Sequence, residues 1–262
     1  MVTMAIMILL AALVFPVLAG ARNKARSLYC LNNLRQLSLG CFSYAADHED
    51  RLPYNLGADD IKRWVSRSNY ANWNSSVMSW ELDPDNTNTW LLTQGGIAPE
   101  VGGAAGIYRC PSDTALSDIQ EQAGWRARVR SYSMNAMVGD AGGYTRGGTN
   151  VNNPGYRQFF TLGQISEPAR IFVFIEEHPD SINDGYFLNR SDSLEWTDLP
   201  ASYHGGAANL TFADGHVESH KWRDASTKPP PRPDAARLPF QVAATEGSDF
   251  EWLMHRTSLD IE

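Results

Sequence analysis

Three of the chain's six histidines, His204, His216 and His220, fall within YHGGAANLTFADGHVESHKW, residues 203–222, together with the pair Asp214-Gly215. Imidazole and carboxylate are standard zinc ligands, so the stretch is a candidate metal site. Spacing restricts that reading. On a straight strand a rise of about 3.3 Å per residue sets His216 and His220 about 13 Å apart, and His204 and Asp214 roughly 20 Å or more apart. One zinc ion needs its ligand nitrogens about 2 Å away, so the motif spacing alone makes no chelate. A site can form only at the open end of the stretch, where Gly205-Gly206 lets the chain fold back and His204 meets His220 or the acidic run Glu176, Glu177 and His178. The alternative is a set of hydrogen-bonded structural roles, which accounts for Asp214 and Gly215 but leaves His204 without a task.

Other polar clusters invite the same scrutiny. Glu176, Glu177, His178, Asp180 and Asp184 stand at and just after the end of the run ARIFVFIEE, residues 169–177, at a place where sites often form. Asp83, Asp85, Asn86 and Asn88 gather hard oxygen donors for calcium, yet the segment lacks the Gly and the distant Glu of an EF-hand loop. A solvated turn competes with calcium there. A Cys-His nucleophile built on Cys110 competes with RCPSD, residues 109–113, as a disulfide or turn. The chain has no G-x-S-x-G, no P-loop and no HExxH, so no catalytic residues are assigned and the expectation is a protein that is not an enzyme. No cofactor is expected beyond a candidate calcium or zinc.

The elements that must position these groups follow from periodicity. Asp214-Gly215 between AANLTFA and HVESHKW predicts a hairpin over residues 207–222 with a two-residue type I′ turn, which needs positive φ at both central residues. Ala213 then faces His216, Phe212 faces Val217 and Leu210 faces Ser219. Leu210, Phe212 and Val217 share the core face in that register, and His216, Glu218 and His220 the polar one. ARIFVFIEE reads as a buried strand. GDAGGYTRGGTNVNNPGY, residues 139–156, reads as a Gly/Asn-rich loop outside the core. KPPPRP, residues 228–233, reads as an extended arm, and DFEWLMHRTS, residues 249–258, as a short terminal helix or turn. Leu28, Leu31, Leu34, Cys41 and Tyr44 recur at helical steps with no proline before Pro53, so one helix with an apolar stripe is expected, and the hairpin's apolar face should cover that stripe.

Residues 1–21 carry no charged side chain, and about 20 apolar residues in a helix span roughly 30 Å of bilayer. A spanning helix and a cleaved signal peptide are both open, Pro16 being a kink point in the former. Arg22, Lys24 and Arg26 follow the segment and, by the positive-inside rule, would hold the body in the cytoplasm. The cysteines argue otherwise. Cys30, Cys41 and Cys110 are too few and too dispersed for a zinc ribbon, and a pair eighty residues apart suits a disulfide in an oxidising compartment, with Cys30 and Cys110 the favoured pair and Cys41 free. A formal charge of -8, with 43% hydrophobic residues, indicates a folded acidic body of one large domain or two small ones and disfavours nucleic acid as a partner.

FPVLAGARNKARS followed by CLNNLRQLSLG resembles the N-terminal helix of bacterial proteins with a prepilin-type cleavage and methylation segment. RCPSD, SYSMN at 131–135, EEHPDSINDGYF at 176–187, and His204 followed by nine residues and Asp214-Gly215 resemble the processing-associated H-x9-DG domain, and FEWLMHRTS resembles that group's ending. The resemblance implies an α+β, type IV pilin-like fold. Residues 1–50 would be the pilin-like helix, single-pass in the bacterial inner membrane, packed on an antiparallel sheet in a β-rich head over 51–262. It further implies a Gly-Phe-Thr-Leu-Ile-Glu cleavage segment with a basic leader upstream of Met1, which would supply the missing cytoplasmic charge. The implied function is a pseudopilin-like structural subunit of a type II secretion or type IV pilus-like assembly. Its partners would be homo- or hetero-oligomeric pilin-like subunits, and its head would lie outside the cytoplasmic membrane or in an extracellular filament. Two other classes stand beside it: a surface module binding glycans or other ligands through Trp64, Trp73, Trp80, Trp90 and Trp125, and a hydrolase using the His/Glu/Asp cluster.

Overall fold

The computed structural model describes residues 2–64, 72–233, 240–241 and 248–261, with the backbone alone for 2–19, 64, 240 and 241. Among the described residues five α-helices form, besides short 3-10 turns: α1 (Val2–Asp47), α2 (Ala58–Trp64), α3 (Trp90–Thr93), α4 (Asp118–Gln122) and α5 (Asp249–Met254). The strands are β1 (Tyr132–Asn135), β2 (Thr145–Arg146), β3 (Thr149–Asn150), β4 (Asn153–Arg157), β5 (Phe172–Glu176), β6 (Tyr186–Phe187), β7 (Glu195–Trp196), β8 (Ala207–Phe212), β9 (Val217–Lys221) and β10 (Phe240–Gln241). The main sheet has the order β6-β1-β5-β8-β9 and is antiparallel throughout except where β6 runs parallel to β1. This is an α+β fold with a long N-terminal helix on an antiparallel-rich sheet.

The membrane-length expectation rests on residues 1–21, most of whose side chains lie outside the described residues; among the described residues no helix is long and apolar enough to cross a membrane. From Ser27 onward α1 lies on the sheet. Its carbonyl end of contact is at Asn209, whose Nδ2 donates to the Ser27 oxygen at 3.5 Å, and Phe42 stands beside Gly215 at the hairpin turn, so helix and β8 run in the same direction. The buried stripe is Cys30, Leu34, Leu37, Cys41 and Tyr44, packed on Tyr132, Met134, Val173 and Phe174. Leu34, Cys41 and Tyr44 lie in it as the sequence predicts, and Cys30 and Leu37 complete it, while Leu31 is only partly buried. Leu28 is exposed, because the seam follows the three- and four-residue steps from Cys30 rather than from Leu28. Burying Leu34 and Leu37 completely stabilises the seat by about 1.5–3 kcal/mol each.

The hairpin forms over the expected residues but in another register. Thr211 pairs with Val217, Leu210 with Glu218, Asn209 with Ser219 and Ala208 with His220. Phe212 N–H donates to the His216 oxygen at 3.0 Å, leaving the three residues 213–215 as the loop. Only Gly215 takes positive φ, +88°, and Asp214 does not, so the turn is a three-residue type with a left-handed glycine. One extra loop residue reverses every side chain of β9. Val217 therefore leaves the Leu210 and Phe212 face, and His216 joins it, its ring stacked on Phe212 at 4.2 Å.

That face does not cover α1. Leu210 and Phe212 pack with Phe172, Ile175, Trp196, Trp222, Phe250 and Leu253 in a second core beneath α5. A register shift in β5 between Phe172 and Ile175 turns Phe174 to the α1 side and Ile175 to the α5 side. Residues 139–156 also depart from the expected loop. They fold into the three-stranded sheet β2-β3-β4, and Asn150 and Asn153 are buried because their amides bond Gln158 and the Asn189 oxygen.

Candidate functional site

The open end of the hairpin carries the chemistry. Gly205 and Gly206 at φ +69° and +87° turn the chain into β8, and the conformation is one that residues with a Cβ rarely adopt. This turn aims His204 back over the last residue of β5. His204 Nε2 lies 2.9 Å from Glu176 Oε1, with side-chain exposures of 4% and 0%. A neutral ring must hold its proton on Nε2 to make that bond. Glu176 is further satisfied by Asn209, whose backbone N–H donates to Oε2 at 2.8 Å and whose Nδ2 approaches Oε1 at 3.3 Å. Cys110 Sγ lies 3.6 Å from the same His204 nitrogen.

Cys110 is joined to Cys30 of α1 in a disulfide with Cα atoms 5.2 Å apart across 80 residues, and Cys41 is free and buried. The expected pairing is thus present, and the sulfur a Cys-His nucleophile would need is already bonded. Burial pushes the Cys41 thiol up to about 12. Beside the bridge, Asn33 Nδ2 donates to the Arg109 oxygen at 3.0 Å, and Asp113 N–H closes a turn on the Cys110 oxygen at 3.0 Å.

The three consecutive residues starting at the last position of β5 diverge. Glu176 meets His204. Glu177 points to the opposite side, where Ser133 Oγ donates to its Oε2, and Arg130 Nη1 donates to Ser133 Oγ at 3.0 Å. His178 accepts from Asp180 N–H at Nδ1, 3.2 Å, and donates from Nε2 to the Pro229 oxygen, 2.9 Å, so it clasps the proline arm. Burial lowers its pKa. Asp180 holds the same arm by accepting from Arg232 N–H at 2.9 Å. His220 is far from His204 in role: it stacks on Trp252 at 3.5 Å, and burial lowers its pKa. The structure brings together His204 and Glu176, and not His204 with His220, Glu177 or His178.

Glu177, Asp184 and Asp198 surround the fully buried Arg130. Desolvation raises Glu177 to about 7, raises Asp184, and raises Asp198 well above the usual carboxylate range, the Glu177 and Asp184 charges adding to the last. Asp184 caps the N–H groups of Ala58 and Tyr186, and Asp198 that of Leu188. Arg130 and Asp198 lie outside the motifs read from the sequence, and Ser133 falls within SYSMN without any role assigned to it there.

The calcium candidates serve a turn. Asp83 Oδ1 accepts from Asp85 N–H at 3.0 Å, Asn86 Oδ1 from Ser79 N–H at 3.0 Å, and Asn88 Oδ1 from Trp90 N–H at 3.1 Å. Burial, then the Asp83 charge, pushes the Asp85 carboxyl up. His216 and Asp214 form an exposed pair at 2.5 Å on the turn. Trp73 is fully buried, Trp80 lies under the Arg128 guanidinium, and Trp90 is 56% exposed; the side chain of Trp64 lies outside the described residues.

Among protein families, one described as "Protein of unknown function (DUF1559)" matches residues 19–185, from α1 to the residue before β6, while His204 and Asp214-Gly215 lie beyond the match. No curated protein and no solved structure matches the chain.

Proposed function

The chain belongs to the DUF1559 family, of the H-x9-DG type found in pilin-like proteins, and from that premise we propose that it is a pseudopilin-like structural subunit. In this reading α1 anchors the chain in the cytoplasmic membrane until assembly, the head stands outside that membrane, and neighbouring pilin-like subunits are its partners. The observation that carries the reading is the partition of α1. The helix has 46 residues; residues 20–26 are exposed, and among the described side chains cover by the head begins at Ser27. At 1.5 Å per residue, about 37 Å of helix precedes Ser27. Leu28, Tyr29 and Leu39 are exposed at 58%, 55% and 54%, an apolar contact surface for a neighbour's helix that the protein's own sheet does not use.

Fractionation of cells carrying the full gene product tests this. The expected result is a membrane-associated chain whose head is cut by protease added outside the cytoplasmic membrane. Recovery of the intact body in the soluble cytoplasmic fraction overturns it.

A second reading, a ligand-binding module, is favoured by one observation. A cleft of about 600 Å³ between α1 and the head is lined by Arg26, Tyr29, Thr87, Thr89 and Arg109, and the exposed Trp90 follows Thr89 in the chain. Saccharide binding that quenches tryptophan emission and is lost in Trp90→Ala would support it.

A further inference from the structure

The disulfide, Glu176 and His204 form one cluster. The two sulfurs, a carboxylate oxygen and an imidazole nitrogen all lie within 4.8 Å of one another. Two thiolates, one imidazole and one carboxylate are a ligand set that zinc takes in tetrahedral sites, at about 2.3 Å to sulfur and about 2.0–2.2 Å to nitrogen or oxygen, which puts neighbouring ligand atoms about 3.3–3.8 Å apart. Cys110 Sγ and His204 Nε2 already stand at 3.6 Å. His204 and Glu176, at 2.9 Å, need only part by a few tenths of an ångström. Glu176 is held from behind by the Asn209 N–H on its other oxygen, the outer support that metal-binding carboxylates use.

The cysteines cannot be bridged and metal-bound at once, so the two states exclude each other. In a reducing compartment the same cysteine pattern is a metal pattern rather than a disulfide one. We propose that Cys30, Cys110, Glu176 and His204 bind one Zn²⁺ in the thiol form of the chain, and that oxidation replaces the ion by the Cys30–Cys110 disulfide.

The seat for the ion outlasts the bond. Leu34 and Leu37 keep α1 on the sheet, and Asn33 ties it to Arg109, the residue before Cys110, without any contribution from the bridge. The steps balance. Zn²⁺ binding to two thiols releases their two protons to solvent, and the single ring proton of neutral His204 shifts from Nε2 to Nδ1, which frees Nε2 for the metal. On oxidation a disulfide donor accepts two electrons from the two thiolates and is cleaved to two thiolates of its own, which take protons from solvent, while the Cys30–Cys110 S–S bond forms and Zn²⁺ leaves. In either state α1 is tied to the head at one point. The proposal does not depend on the pilin reading, because it concerns only the thiol state of this chain.

The test uses the full chain purified under reductant, with three free thiols counted in denaturant, stripped of metal and titrated with Co²⁺. The expected result is one equivalent with a thiolate-to-metal charge-transfer band and the intense d–d absorption of tetrahedral cobalt, bleached by one equivalent of Zn²⁺. The oxidised chain should show none of it, and Cys41→Ser should match the parent. Loss of an outer partner alone typically weakens a site about 10- to 100-fold, so His204→Ala and the near-isosteric Glu176→Gln should each weaken Zn²⁺ at least tenfold with unchanged far-ultraviolet circular dichroism. Absence of the tetrahedral bands in the folded thiol form, or bands undiminished in both variants, overturns the proposal.

Discussion

The hairpin carries a histidine-carboxylate pair at each end, and the two behave oppositely. At the turn, His216 and Asp214 approach to 2.5 Å with side chains 41% and 34% exposed; at the open end, His204 and Glu176 stand 2.9 Å apart with 4% and 0% exposed. The shorter contact is the weaker one. Water and salt screen the first pair, and such pairs contribute about 0–1 kcal/mol. The second is desolvated, so removing one partner strands the other in the interior. Distance alone therefore ranks the two in the wrong order, and burial ranks them correctly. The nine residues between His204 and Asp214 are a strand that separates two tasks.

The largest test of that contrast is Glu176→Ala. It leaves the His204 Nε2 proton and the Asn209 N–H without an acceptor in a sealed site, and the expected loss is about 3–5 kcal/mol in urea unfolding. A loss no greater than that of a turn variant would erase the distinction between the two ends.

Next in size is a pH effect from the neighbouring residue. Glu177, with no imidazole against it, has its pKa raised in the folded state from 4.5 to about 7. The folded chain then holds more protons than the unfolded one across that interval, so stability is greatest below it and falls as pH rises through it. At about 1.36 kcal/mol per unit the fall is up to about 3 kcal/mol. Glu177→Gln should flatten the decline between pH 4.5 and 7; an unchanged slope in that variant would assign the decline to Asp184 and Asp198, whose raised pKa values act with the same sign.

At the turn, Gly215→Val should cost about 1–3 kcal/mol, because a β-branched residue at φ +88° is strained. The added Cβ would meet Phe42 only at 3.5 Å, an ordinary contact, so the loss should persist in Phe42→Ala. His216→Ala should be the mildest change, under about 1 kcal/mol and smaller still in high salt. A His216 effect as large as that of Glu176 would refute the ranking by burial.

The existence of the hairpin was legible because Asp214-Gly215 is a strong local signal. Its register was not, since a two-residue and a three-residue loop share that dipeptide, and here Asp214 does not take the positive φ that a type I′ turn requires. That one angle decides which face Val217 joins. The helix was legible from its apolar steps, but the seam depends on which residue the sheet reaches first, and Leu28 lies just outside it. The disulfide was legible from the scarcity of cysteines. The partner of His204 was visible only as one of several carboxylates, because Glu176 is 28 residues away and a shift within β5 decides whether it or Glu177 turns toward α1. The acids around Arg130 come from segments far apart in the chain and have no pattern that a linear reading could join.

The Cys30 bridge stands three residues past Ser27, where the head first covers the helix, and α1 runs alongside β8 from there to Phe42. A force drawn along α1 toward its N-terminus therefore enters the head through a covalent bond before it reaches the hydrogen-bonded ladder. The load passes to the Cys110 segment, and β8 and β9, lying parallel to the pull, would have to shear along their whole length to yield. The long helix is thus coupled to its head as a tether fastened at the collar, with the sheet as the second line of resistance rather than the first.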